Sequence, residues 1–79
     1  MPRYRFNIHN AIGFIPDEQG QELPDLEAAR AEALRGARSL LAEEVRSGQM
    51  NLCGRLEVRD EKDDLVLTLP FAGAVDIIT

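Results

Sequence analysis

Residues 25–48 read Asp25-Leu26-Glu27-Ala28-Ala29-Arg30-Ala31-Glu32-Ala33-Leu34-Arg35-Gly36-Ala37-Arg38-Ser39-Leu40-Leu41-Ala42-Glu43-Glu44-Val45-Arg46-Ser47-Gly48, and this stretch decides the fold. Leu26, Ala29, Ala33, Leu34, Ala37, Leu40 and Leu41 recur at helical spacing, which predicts one long amphipathic helix. Asp25 follows Pro24 and suits the N-cap, because its carboxylate can accept from the free amides of the first turn. Glu27 adds negative charge where the helix dipole favours it. Gly48 is a natural stop just past the C-terminus. Glu27–Arg30, Glu32–Arg35 and Glu43–Arg46 are i,i+3 pairs, each worth a few tenths of a kcal/mol (roughly 0.2–0.5). The apolar face is rich in alanine, so the helix can approach a sheet closely.

The flanks carry a different period. Arg3 to His9 alternates, with Tyr4, Phe6 and Ile8 against Arg3, Arg5, Asn7 and His9, as a half-buried strand does. Asn10-Ala11 reads as a turn and Ile12 to Ile15 as a short returning strand. Pro16-Asp17-Glu18-Gln19-Gly20 is a turn. Beyond the helix, Gln49 to Gly54 is a loop. Arg55 to Asp60 and Leu65 to Leu69 form a hairpin about the polar turn Glu61-Lys62-Asp63-Asp64. Phe71 to Thr79 is an apolar tail, read as a short helical turn-and-a-half after Pro70, with a strand as the alternative. The expectation is an α+β domain: strand-strand-helix-strand-strand, a four-stranded antiparallel sheet with the helix on one face. No strand order follows from the sequence.

The lengths have a consequence. A helix of this size is about 34 Å long, whereas the strands span about 20–23 Å. The C-terminal part of the helix, residues 41–47, must overhang the sheet and needs cover from the tail or from a second subunit.

Composition narrows the function. The chain has 79 residues, a net charge of −5 and 44% hydrophobic residues, which fits one folded domain rather than a disordered segment. The single cysteine, Cys53, excludes an intrachain disulfide and suits a reducing compartment. No signal peptide is visible and no apolar run is long enough to span a membrane, so the expected location is cytoplasmic. A chain this short has a thin core, and domains of this size commonly rely on a partner chain. Self-association into a homo-oligomer is therefore expected.

Few residues suggest chemistry. His9 and Cys53 occur once each. A nucleophile–base pair needs them in contact, and no oxyanion loop or third orienting group is recognisable. Zinc wants four Cys or His ligands in a closed site, and the acidic runs lack calcium-loop spacing. No P-loop or Gly-x-Gly-x-x-Gly motif is present. The sequence thus implies no catalytic residue, metal or cofactor. Arg30 and Glu44 fall within the apolar face on a helical wheel, where an unpaired charge is costly. Arg30 is expected to snorkel past the sheet edge or to reach a carboxylate such as Asp17. The functional reading places both in a subunit interface with Leu41, Val45, Phe71, Val75 and Ile78.

Alternation fixes the other sheet face. It should carry Arg3, Arg5, Asn7 and His9, then Arg55, Glu57 and Arg59, then Val66 and Thr68. Four of the nine basic residues would share one face of an acidic protein. Arginine forks suit phosphate or carboxylate, so Arg3, Arg5, Arg55 and Arg59 are the candidate binding residues. The plain reading is a solvated face neutralised by Glu57. The alternatives are an acidic protein partner and nucleic acid, the latter disfavoured by the net charge and by the lack of exposed stacking aromatics.

Met1-Pro2-Arg3-Tyr4-Arg5-Phe6, the Asp17-Glu18-Gln19-Gly20-Gln21-Glu22-Leu23 turn, Leu26-Glu27-Ala28-Ala29 and Leu69-Pro70-Phe71 together resemble a family of short bacterial proteins grouped under a domain of unknown function. That resemblance spans nearly the whole chain and implies no activity or site residue. A looser one is to HicB-type antitoxins, on the Pro16-Asp17-Glu18-Gln19-Gly20 turn followed by the alanine-rich helix from Asp25 to Leu34. It implies a nucleic-acid-linked or antitoxin-like regulator. The chain departs from that pattern, because no DNA-binding module follows the last strand. The leading expectation is a small, non-catalytic, self-associating interaction protein.

Overall fold

A computed structural model describes residues 1–78. The elements run β1 Arg3–His9, β2 Phe14–Ile15, β3 Gln21–Glu22, α1 Leu26–Arg46, β4 Arg55–Arg59 and β5 Leu65–Pro70, followed by a 3₁₀ turn at Phe71–Gly73. All strand pairs are antiparallel, in the order β2-β1-β4-β5, with β3 also on β1. This is the expected α+β architecture with one additional short strand.

That strand comes from a broken edge. β2 pairs with Ile8 and His9, and β3 pairs with Arg3 and Tyr4, so both lie along the same side of β1. Between them residues 16–20 leave the ladder. Asp17 fills the gap left in the ladder. Its Oδ2 accepts the Phe6 amide at 3.1 Å, and its Oδ1 accepts the amides of Gln19 and Gly20. The Asn7 side chain in turn accepts the Asp17 amide at 2.8 Å. The expected turn is thus a loop stitched into the sheet edge, and Ile12 lies in the turn before β2 rather than in a strand.

The helix has the expected caps. Asp25 Oδ1 accepts the Ala28 amide at 2.8 Å. At the other end Gln49 N–H donates to Glu44 O and Gly48 N–H to Val45 O, with Gly48 at φ 89°. This is a Schellman ending, in which a left-handed residue turns two amides back onto the orphan carbonyls.

Its buried line is Ala29, Ala33, Ala37 and Leu41. Each four-residue step turns about 40° around a helix of 3.6 residues per turn. The stripe therefore winds slowly around α1 instead of running parallel to its axis. A fixed wheel misses this, and Arg30 shows the error. It points about 100° away from neighbouring Ala29 and is exposed, not within the apolar face. Leu26 is exposed for the same reason, and Glu44 is half-buried.

Tyr4, Leu56, Val58 and Leu69 meet the alanines from the sheet side, with Phe71 and Ala74 closing the end. Phe6, Ile8 and Leu67 pack partly against them. A register shift between Val58 and Arg59 in the β4–β5 pair interrupts the alternation there. Leu65, expected to face the helix, is consequently 47% exposed, and Val66 packs partly against the core instead of lying on the outer face.

The tail is only briefly helical. One 3₁₀ turn follows Pro70, and residues 74–78 continue without regular structure. Arg38 Nε donates to the Ala74 carbonyl at 2.8 Å, tying the tail to the helix. The end of the expected tail at Thr79 lies outside the described residues. No described helix is long and apolar enough to cross a membrane.

Candidate functional site

The outer sheet face is built by cross-strand partners. Arg5 faces Arg59, Asn7 faces Glu57 and His9 faces Arg55 across β1 and β4. Glu57 sits at the centre and is buried. Its Oε2 accepts from Arg55 Nε at 3.0 Å, and its Oε1 lies 3.0 Å from His9 Nε2 and 3.9 Å from Arg59 Nη2. The Arg55 hydrogen bond, with help from the charges of His9 and Arg55, holds the Glu57 carboxyl below its ordinary range despite its desolvation. One carboxylate thus gathers three cationic or protonatable groups.

The four candidate arginines are therefore not equivalent. Arg3 turns to the broken edge, where it donates to Gln19 O at 2.7 Å and pairs with Glu22 at 3.2 Å. Arg55 is committed to Glu57, and Arg59 donates to Asp63 O at 2.9 Å. Arg5 alone among them has no hydrogen-bonded or ionic partner among the described residues. The plain reading of this face, neutralised by Glu57, is the one that the contacts support.

His9 and Cys53 line one shallow hollow with Gly54, Arg55 and Phe14. The imidazole stacks obliquely on Phe14, with ring centroids 4.6 Å apart, and its Nε2 meets Glu57. Cys53 is exposed, and no thiol–imidazole hydrogen bond is among the described contacts. No group of three or more His, Cys, Asp or Glu among the described residues could hold a metal ion. Asp60 uses its carboxylate to accept the amides of Lys62 and Asp64, closing the β4–β5 turn.

The second candidate surface is the overhanging helix end. Leu41, Val45, Val75 and Ile78 line a groove of about 450 Å³ together with Met50 and Ile77. On the other flank of the helix, Glu44 and Phe71 border a smaller cavity of about 240 Å³ with Leu40, Ile12 and Ile15. The structure therefore unites six of the seven expected interface residues around one end of α1. Leu41 and Phe71 are buried within the single chain. Arg30 stands apart from them, 14 positions before Glu44 in the chain and about 21 Å away along the helix axis. Met50 and Ile77 were missed. Met50 sits in a loop and Ile77 off the helical spacing assumed for the tail, so periodicity gave no signal for either.

A family model described as a domain of unknown function, DUF6894, matches residues 3–72. The chain belongs to this family. The DUF6894 match runs from β1 into the 3₁₀ turn, so it includes the helix end and the outer sheet face. The tail residues of the groove, Val75, Ile77 and Ile78, follow it. No curated protein and no solved structure matches the chain.

Proposed function

We propose that this DUF6894 chain is a small non-catalytic interaction protein that self-associates through the overhanging helix end and tail. One observation carries the reading. Eleven large apolar side chains are exposed among the described residues, and four of them, Val45, Met50, Ile77 and Ile78, line one groove at the C-terminal end of α1. Scattered exposed apolar residues need no explanation, whereas a contiguous patch marks a contact surface. The core supports the same view. Among the described residues, four of the ten buried apolar ones are alanines, Ala29, Ala33, Ala37 and Ala74, so little apolar area is hidden within one chain.

Variants Val45→Glu and Ile77→Glu test this. Both side chains are exposed in the single chain, so each variant should fold. Light scattering after size exclusion should give an associated wild type and variants shifted toward the single chain. Variants that stay associated would move the interface elsewhere. A phosphate-binding role for the arginine face draws less support, because three of its four guanidinium groups already have partners within the chain.

A further inference from the structure

The two edges of the sheet are built differently. The β2/β3 edge is guarded by very short strands, an interruption, and the Asp17 carboxylate seated on the Phe6 amide. Such devices prevent an edge from pairing with another chain. The β5 edge has fewer, a proline at its end and one register shift against β4. Leu65-Val66-Leu67-Thr68-Leu69-Pro70 is a six-residue strand without a charged side chain.

The hydrogen-bond phase of that edge follows from one contact. Phe71 N–H donates to Gly54 O at 3.2 Å. Antiparallel pairs alternate between bonded and non-bonded, so Leu69 and Leu67 direct their main-chain groups to β4. Thr68 and Pro70 direct theirs to the free edge. Proline, which has no N–H to offer the ladder, thus sits at an outward position.

Leu40 and Glu44 face the cavity bordered by Ile8 and Ile15 of β1 and β2. Arg38, Ala42 and Val45 line the groove on the opposite flank with the tail residues Val75, Ile77 and Ile78.

We propose that β5 pairs antiparallel with β5 of a second copy about a two-fold axis at Thr68, making one continuous sheet with both helices on the same face. This rests on the self-association proposed above and adds a strand seam to it. The strand is suited to itself. It sets no like charges opposite one another, and it places Thr68 against Thr68, a cross-strand pair of a stabilising kind. The same register brings Leu65 of each copy, exposed in the single chain, level with Phe71 of the other.

Amide hydrogen exchange at Thr68 tests the seam. Leu67 and Leu69 are protected by β4 in any state and serve as controls. In the associated protein Thr68 should exchange at least ten-fold more slowly than in the diluted single chain. Thr68→Pro removes only an outward N–H, so it should yield a folded single chain. Thr68→Lys keeps the N–H but sets like charges together, and should weaken association at least ten-fold. A dimer with fast Thr68 exchange, or one that survives both substitutions, would overturn the seam while leaving self-association intact. A wild type that stays a single chain at every concentration would overturn both, and would leave the edge free for an extended segment of another protein.

Discussion

Gly54 precedes β4 with φ at 107°, and a Cβ built there would lie 2.4 Å from the His9 carbonyl oxygen. That contact is with backbone, so it cannot be relieved by a side-chain rotation. Gly54→Ala should therefore destabilise the fold by about 2–3 kcal/mol, combining left-handed strain with the clash. Urea unfolding would check it, and an unchanged midpoint would contradict it. Glu57 gives a pH prediction. Its carboxyl is held below the ordinary range in the folded state, against about 4.3 in the unfolded chain. Its stabilising contribution is then complete above the unfolded value and lost as pH falls through the folded one. Melting temperatures between pH 7 and 3 should fall more steeply for the wild type than for Glu57→Gln. Parallel profiles would show that the pairing does not matter. At this scale the sequence was partly legible. Strict alternation placed Glu57 among Arg55, Arg59 and His9. It could not show that Arg3 would leave that face for Gln19 and Glu22, because the broken edge that offers those partners is a tertiary feature.

Each element owes its limits to identifiable groups. Asp25 holds the start of α1 through the Ala28 amide, and Asp25→Ala should cost about 1 kcal/mol in a denaturant titration. Phe71 closes the core beneath the helix end, so Phe71→Ala should cost about 3–5 kcal/mol. An unaltered melting temperature would show that the tail does not cover the helix. Helix bounds were readable because capping chemistry is local. The path of its buried stripe was not, since contact with the sheet sets it, and that is why Arg30 and Leu26 were misplaced. β3 escaped for a related reason. Gln21 and Glu22 have no strand pattern of their own and pair only because Asp17 and Asn7 hold the intervening loop against β1.

Across the whole molecule the dominant fact is thinness. The principal extents are 39, 24 and 17 Å. One helix lies on one sheet, and Val58 is the only large side chain, among the described residues, that is completely enclosed. The mismatch of helix and strand lengths, visible in the sequence, leaves an apolar end that the tail only partly covers. A second copy against that end would hide surface that the single chain cannot. The direct measurement is sedimentation equilibrium of the wild-type chain over a hundred-fold range of concentration. The account predicts a mass approaching twice that of one chain as concentration rises. A mass that stays at one chain throughout would contradict it.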